Sequence, residues 1–220
     1  MTKATGSFAA GTAILAGGVL FLLATVMHPL VTDPWLGLKV LPHIAHSPVY
    51  WQFDHILMLT AILLLFSGLA AGANAVADEA KPARITFGLF IVSMTIWILI
   101  LVMELTIIPH LAENWSETQS QETGVIFTGL FAYGILAGDI AMMLAWIGIA
   151  LLGNALLRSN EMTRTLASTG ILFGALGALG IVAMLFVSDW SIVILAATSG
   201  PVFFWVLYFG WRMLRKETER

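Results

Sequence analysis

Six long apolar runs constrain this chain more than any other feature. A helix needs about 20 apolar residues to cross the hydrocarbon core of a bilayer. Residues 8–31, 50–75, 85–109, 124–157, 165–187 and 190–214 all meet that length. The intervening stretches are short, so little chain remains for a water-soluble domain. Only 10% of the 220 residues are charged and 59% are hydrophobic. A soluble domain carries about 25% charged residues, so this chain cannot cover a water-facing surface. The expected fold is all-α: a polytopic membrane protein with one six-helix transmembrane domain over residues 1–220. The fourth run is longer than a span requires and is expected to tilt or project. No cleavable leader is expected, because the first run is too long for the apolar core of one.

Lysine and arginine orient the spans. With the N-terminus in the cytoplasm, Lys3, Lys81, Arg84, Arg158, Arg164, Arg212, Arg215, Lys216 and Arg220 fall inside and only Lys39 falls outside. That asymmetry follows the positive-inside rule and predicts both termini in the cytoplasm of an inner-membrane protein. The outer connections are acidic instead, with Asp33, Glu113, Glu117, Glu122 and Asp189.

All five histidines then fall on the outer side. His28 closes the first span before Pro29, His43 and His46 lie in the outer loop 32–49, His55 lies about one turn inside the second span, and His110 follows Pro109 at the end of the third. The loop is bracketed by Pro29, Pro34, Pro42 and Pro48, and carries Trp35, Tyr50 and Trp51, residues at home among lipid headgroups. Residues 38–46 read as a short interfacial helix.

Two carboxylates lie within the spans. Glu104 sits about 7–9 Å short of the outer end of the third, at 1.5 Å of rise per residue, on the same face as Trp97. Asp139 lies near the middle of the fourth, with Tyr133 and Trp146 about two turns to either side. Ionisable groups inside a membrane are functional by default. Glu104 is close enough to the outer end to meet His28 or His55 as a ligand, as an orienting partner for an imidazole, or as a proton carrier. Asp139 is expected either in a structural hydrogen bond or on a proton path with Glu104.

Chemistry narrows further by exclusion. The chain has no cysteine, which removes disulfides, iron–sulfur clusters, thiolate metal sites and c-type haem attachment. It has no phosphate-binding loop, no HExxH and no basic nucleic-acid patch. Neutral imidazole is the commonest protein metal ligand. Two histidines from facing helices can hold a b-type haem, with His28 and His55 the preferred pair and His110 the alternative. Gly17, Gly18, Gly68 and Gly72 would open a slot for it, and Phe21, Trp51, Phe53 and Trp97 would wall it. Such a protein would serve electron transfer, with a quinone or an outer-face redox protein as partner.

The second reading is a non-haem copper or zinc site, for hydrolysis, oxidation or metal handling, built from His28, His55, His110 and Glu104. His43 and His46 are spaced i, i+3 and can clamp a metal from one helix face, with Asp33, Asp54 or a third histidine completing the shell. Met27, Met58 and Met103 lie near enough to suit copper(I) but are ordinarily core. The third reading is a proton-linked transporter or an accessory subunit, in a homo-oligomer or a larger membrane complex. No catalytic residue is assigned.

A first span closing in His28-Pro29, a second opening WQFDH and a third ending ELTIIPH resemble a group of uncharacterised bacterial six-span membrane proteins. The resemblance covers helix layout over most of the chain. It implies the six-span fold and singles out His28, His55 and Glu104, without an activity; it does not extend to His43, His46 or His110.

Overall fold

The computed structural model describes residues 3–29, 31–76, 81–159, 162–187 and 190–218. Of the residues that orient the chain, Asp189 and Arg220 lie outside the described residues, as do the side chains of Lys3, Lys81 and Lys216.

Seven α-helices account for the described fold: α1 (Lys3–Met27), α2 (Gly37–His46), α3 (Pro48–Val76), α4 (Lys81–Thr118), α5 (Gln121–Ser159), α6 (Arg164–Met184) and α7 (Ser191–Thr218). All except α2 are long and apolar enough to span a membrane. The protein is therefore a multi-pass membrane protein of the expected all-α class. The six spans form a closed ring: α1 packs on α3, α3 on α4, α4 on α5, α5 on α6, α6 on α7, and α7 returns to α1. Glycine allows the closest of these approaches. A Cβ at Gly68 of α3 would lie 2.8 Å from the Ala10 carbonyl oxygen of α1, and one at Gly153 of α5 would lie 2.6 Å from the Ala167 carbonyl oxygen of α6. In a bilayer, where solvent does not drive helices together, such close backbone packing is a main source of association.

The six long helices differ from the sequence expectation most in their ends. α1 stops at Met27 rather than running to residue 31. The third span is expected to finish at Pro109, yet α4 continues through it to Thr118. Its partner α5 begins at Gln121, so only Gln119 and Ser120 separate the two, and Gln119 takes φ 52° to make the turn. Thr123 donates its hydroxyl to the Asn114 side chain at 3.0 Å across this hairpin. Helices of 38 and 39 residues extend about 57 Å at 1.5 Å per residue, well beyond a hydrocarbon core of about 30 Å.

The hairpin has an apolar face, and α2 covers it. Gly37, Val40, Leu41 and Ile44 of α2 are buried, at the i, i+3, i+4, i+7 positions of one helical stripe. Val40, Leu41 and Ile44 join Trp51, Met103, Ile108, Ala112, Phe127 and Phe131 in a second apolar cluster, distinct from the main one along the bundle. The turn before α2 is set by Asp33, whose carboxylate accepts the Trp35 backbone N–H at 2.9 Å. The short helix expected over 38–46 is thus present, one residue longer.

Candidate functional site

Three residues of α3 build the inner wall of the site. Trp51, Asp54 and His55 are spaced i, i+3, i+4, so they share one helix face, and all three are buried. His28 meets them from just beyond the end of α1. The Tyr50 hydroxyl donates to the Met27 carbonyl at 2.8 Å, tying that helix end to the start of α3.

His28 Nδ1–H donates to Asp54 Oδ2 at 2.8 Å. His55 Nδ1 lies 2.7 Å from the Trp51 carbonyl oxygen. A carbonyl only accepts, so His55 carries its proton on Nδ1 and keeps the lone pair on Nε2. The Trp51 ring stacks on His55 with centroids 4.2 Å apart at 29°, and the edge of His28 meets His55 at 5.1 Å and 68°. The Trp51 indole N–H donates to the Glu104 backbone carbonyl at 3.0 Å, which fixes α3 against α4.

Glu104 completes the group from α4. Its Oε2 lies 4.0 Å from His55 Nε2, beyond hydrogen-bond reach. Gly134 of α5 makes room for it: a Cβ there would stand 3.1 Å from Glu104 Oε1. Asp54 is 1% exposed, His55 2% and Glu104 7%, while His28 is 32% exposed and opens the group to its surroundings.

Among the described residues, two polar atoms in this group are buried with no hydrogen-bond partner, Asp54 Oδ1 and Glu104 Oε2. An unsatisfied buried polar group costs about 1–3 kcal/mol and more when charged, so each of the two calls for an ion or water beside it. His28, Asp54 and His55 each present a ligand atom within 4.8 Å of the others. Sequence reasoning singles out His28, His55 and Glu104, and brings in Asp54 only as a completing ligand for His43 and His46. The signal for Asp54 is its helical spacing: Trp51, Asp54 and His55 lie on the face continued by Met58.

The remaining candidates lie elsewhere. His43 and His46 are exposed on α2, on the side opposite its buried stripe, and the pair does not turn toward Asp54. His110 is exposed and lines an open cavity of about 410 Å³ with Gln52, Glu113 and Ser116. Met58 and Met103 are buried in the two apolar clusters. Asp139 is half-buried on α5, beside Gly138, which packs on the Trp97 ring. It lies five residues, about 7.5 Å of helix rise, beyond Gly134.

The glycines expected to open a slot are occupied by neighbours. Gly17 faces the Leu65 backbone, Gly18 the Leu207 side chain, Gly68 the Ala10 carbonyl, and Gly72 Met213 and Phe209. Of the expected aromatic walls, Phe53 is exposed and Phe21 packs on Phe203 at 5.8 Å. No family model, curated protein or solved structure matches this chain, so its own geometry carries the functional reading.

Proposed function

We propose that this protein is a non-haem membrane metalloprotein that takes one small cation of the copper or zinc class into the His28–Asp54–His55–Glu104 group. The observation that carries this reading is the pairing of clustered ligand atoms with two buried carboxylate oxygens that have no partner. Imidazole and carboxylate donors without thiolate suit a borderline divalent ion. The hydrogen bonds from both Nδ1 atoms are those that orient metal-binding imidazoles and leave Nε2 free.

The haem b reading, with electron transfer to a quinone or redox protein, draws on the same two histidines but fits this packing less well. A porphyrin held between His28 and His55 needs the rings parted by the macrocycle and two iron–nitrogen bonds. Here they touch edge to face, and Trp51 packs against both of them. The charge asymmetry of the loops supports both termini in the cytoplasm and, with them, a His28 mouth on the outer face of the inner membrane. Uptake, delivery or catalysis with the ion then occurs from that side.

Metal analysis and an optical spectrum of the purified protein test this reading. About one copper or zinc per chain, absent in His55→Ala, with no Soret band, is the expected result. A Soret band that shifts on reduction establishes haem instead. A protein that stays colourless and binds no metal after exposure to Cu²⁺ or Zn²⁺ overturns the reading and leaves Glu104 and Asp139 as candidates for a proton path.

A further inference from the structure

Resting on that reading, we propose that the cation sits between His55 Nε2 and the Glu104 carboxylate, and that the exposed His28, oriented by Asp54, is its admission point rather than part of its resting shell. The three residues whose ligand atoms crowd most closely are His28, Asp54 and His55. Crowding alone does not choose the ligands, because several of those atoms are already used. His55 Nδ1 bears a hydrogen directed at the Trp51 carbonyl 2.7 Å away, so it has no lone pair to give. His28 Nδ1 and Asp54 Oδ2 are spent on each other at 2.8 Å.

The lone pair of His55 is therefore on Nε2. Trp51 stacks on its ring at a centroid distance of 4.2 Å, and His28 meets it edge to face at 5.1 Å. Glu104 Oε2 lies 4.0 Å from Nε2 and has no partner. That separation is too long for a hydrogen bond. It suits two donors on opposite sides of one ion with bonds of about 2.0–2.2 Å each, the trans arrangement of a tetragonal copper(II) site, whereas tetrahedral zinc holds its donors about 3.3–3.6 Å apart; the remaining positions would be filled by water or by the species the metal acts upon. Both donors come from α3 and α4, which the Trp51 indole already locks together through the Glu104 carbonyl.

Exposure orders the group from outside inward. His28 is 32% exposed, whereas His55 and Glu104 are almost fully enclosed. An arriving cation meets the His28 imidazole first, and Asp54, 1% exposed, lies behind it. Asp54 Oδ2 is 3.9 Å from His55 Nδ1, so the carboxylate that holds His28 stands beside the enclosed imidazole without bonding to it. His28 receives the ion, which comes to rest in the enclosed part of the group.

Cu²⁺ serves as the probe, on the full chain carrying His43→Ala, His46→Ala and His110→Ala so that exposed imidazoles do not bind it. Pulsed electron paramagnetic resonance then counts coordinated imidazoles. The expected result is a single imidazole signal, lost in His55→Ala and retained in His28→Ala. His28→Ala should still bind one ion per chain but take it up more slowly. Glu104→Gln, which keeps the side-chain shape, should weaken binding by about a hundredfold, the upper end of the loss seen when a metal site is perturbed. Two coupled imidazoles, or loss of stoichiometric binding in His28→Ala with Glu104→Gln unaffected, would overturn this assignment while leaving a metal site standing. No Cu²⁺ bound by the parent chain overturns it together with the reading beneath it.

Discussion

His28 and His55 differ from His43, His46 and His110 in what surrounds them. The first two meet a buried carboxylate and each other. The other three are exposed, two on the outward side of α2 and one at an open cavity. The same residue type serves in one case as a hydrogen-bonded, oriented imidazole and in the other as a polar edge at the rim of a membrane protein. The difference is one of azimuth: a helix turned by half a revolution would exchange the roles. It teaches that a histidine count at one end of a bundle measures little until the partners of each ring are known.

The sharpest way to break this comparison is to remove one group at a time. His55→Ala should abolish metal binding, because it removes the lone pair enclosed by Trp51 and Glu104. The triple variant His43→Ala, His46→Ala, His110→Ala should keep the one tightly held ion per chain. Equilibrium dialysis with metal analysis reads both. If the triple variant loses the ion and His55→Ala keeps it, the division into inner and outer histidines is meaningless.

A smaller effect tests whether Glu104 belongs with the inner group. Gly134 lies against it: a Cβ there would stand 3.1 Å from Oε1 and 3.3 Å from the Met103 methyl. Gly134→Val adds two further carbons beyond that Cβ and must displace the carboxylate. Affinity should fall by about 10–100-fold, as for other losses of ligand positioning, with the helical circular dichroism unchanged. Gly129→Val, where a Cβ would meet nothing within 4 Å, is the control and should leave affinity alone.

How much of this is legible in the sequence follows the same division. Run length and composition suffice for the six spans, since crossing hydrocarbon leaves a helix no alternative. The stripe Gly37, Val40, Leu41, Ile44 suffices for α2. The continuation of α4 past Pro109 is not legible, because LAENWSET is polar and its helix is held by tertiary packing: Ile108 and Ala112 are buried beneath α2 and Phe127. Within the site, His28, His55 and Glu104 stand out as ionisable groups in or beside apolar spans. Asp54 does not, because an acid at the mouth of a span looks like a headgroup-level charge until α1 closes over it and His28 takes its Oδ2. His43, His46 and His110 carry more weight in the sequence than in the fold, since sequence position fixes depth in a span far better than it fixes the direction of a side chain.

Trp51 offers a graded test, because it performs two tasks with one side chain. Trp51→Phe keeps a ring to stack on His55 but removes the indole N–H that reaches the Glu104 carbonyl. Losing one such bond should lower stability by about 0.5–1.5 kcal/mol and weaken metal affinity only slightly, since both donors remain. Trp51→Ala removes the stacking as well and should affect binding more than stability alone explains. Equal affinities for the two variants would show that stacking does not orient His55.

The smallest effect is expected at the other intramembrane acid, and it sharpens the comparison most. Asp139 and Glu104 are both carboxylates inside spans, but Glu104 faces an imidazole and is 7% exposed, whereas Asp139 is half-buried beside the Gly138–Trp97 contact. Asp139→Asn preserves shape and removes the titratable group. Metal stoichiometry and affinity should stay at parent values, in contrast to Glu104→Gln. A loss of binding in Asp139→Asn would mean that the two acids act as one unit across about 7.5 Å of helix rise. The ion site would then extend inward from Glu104, and the proton-path role expected of the pair would become inseparable from metal binding.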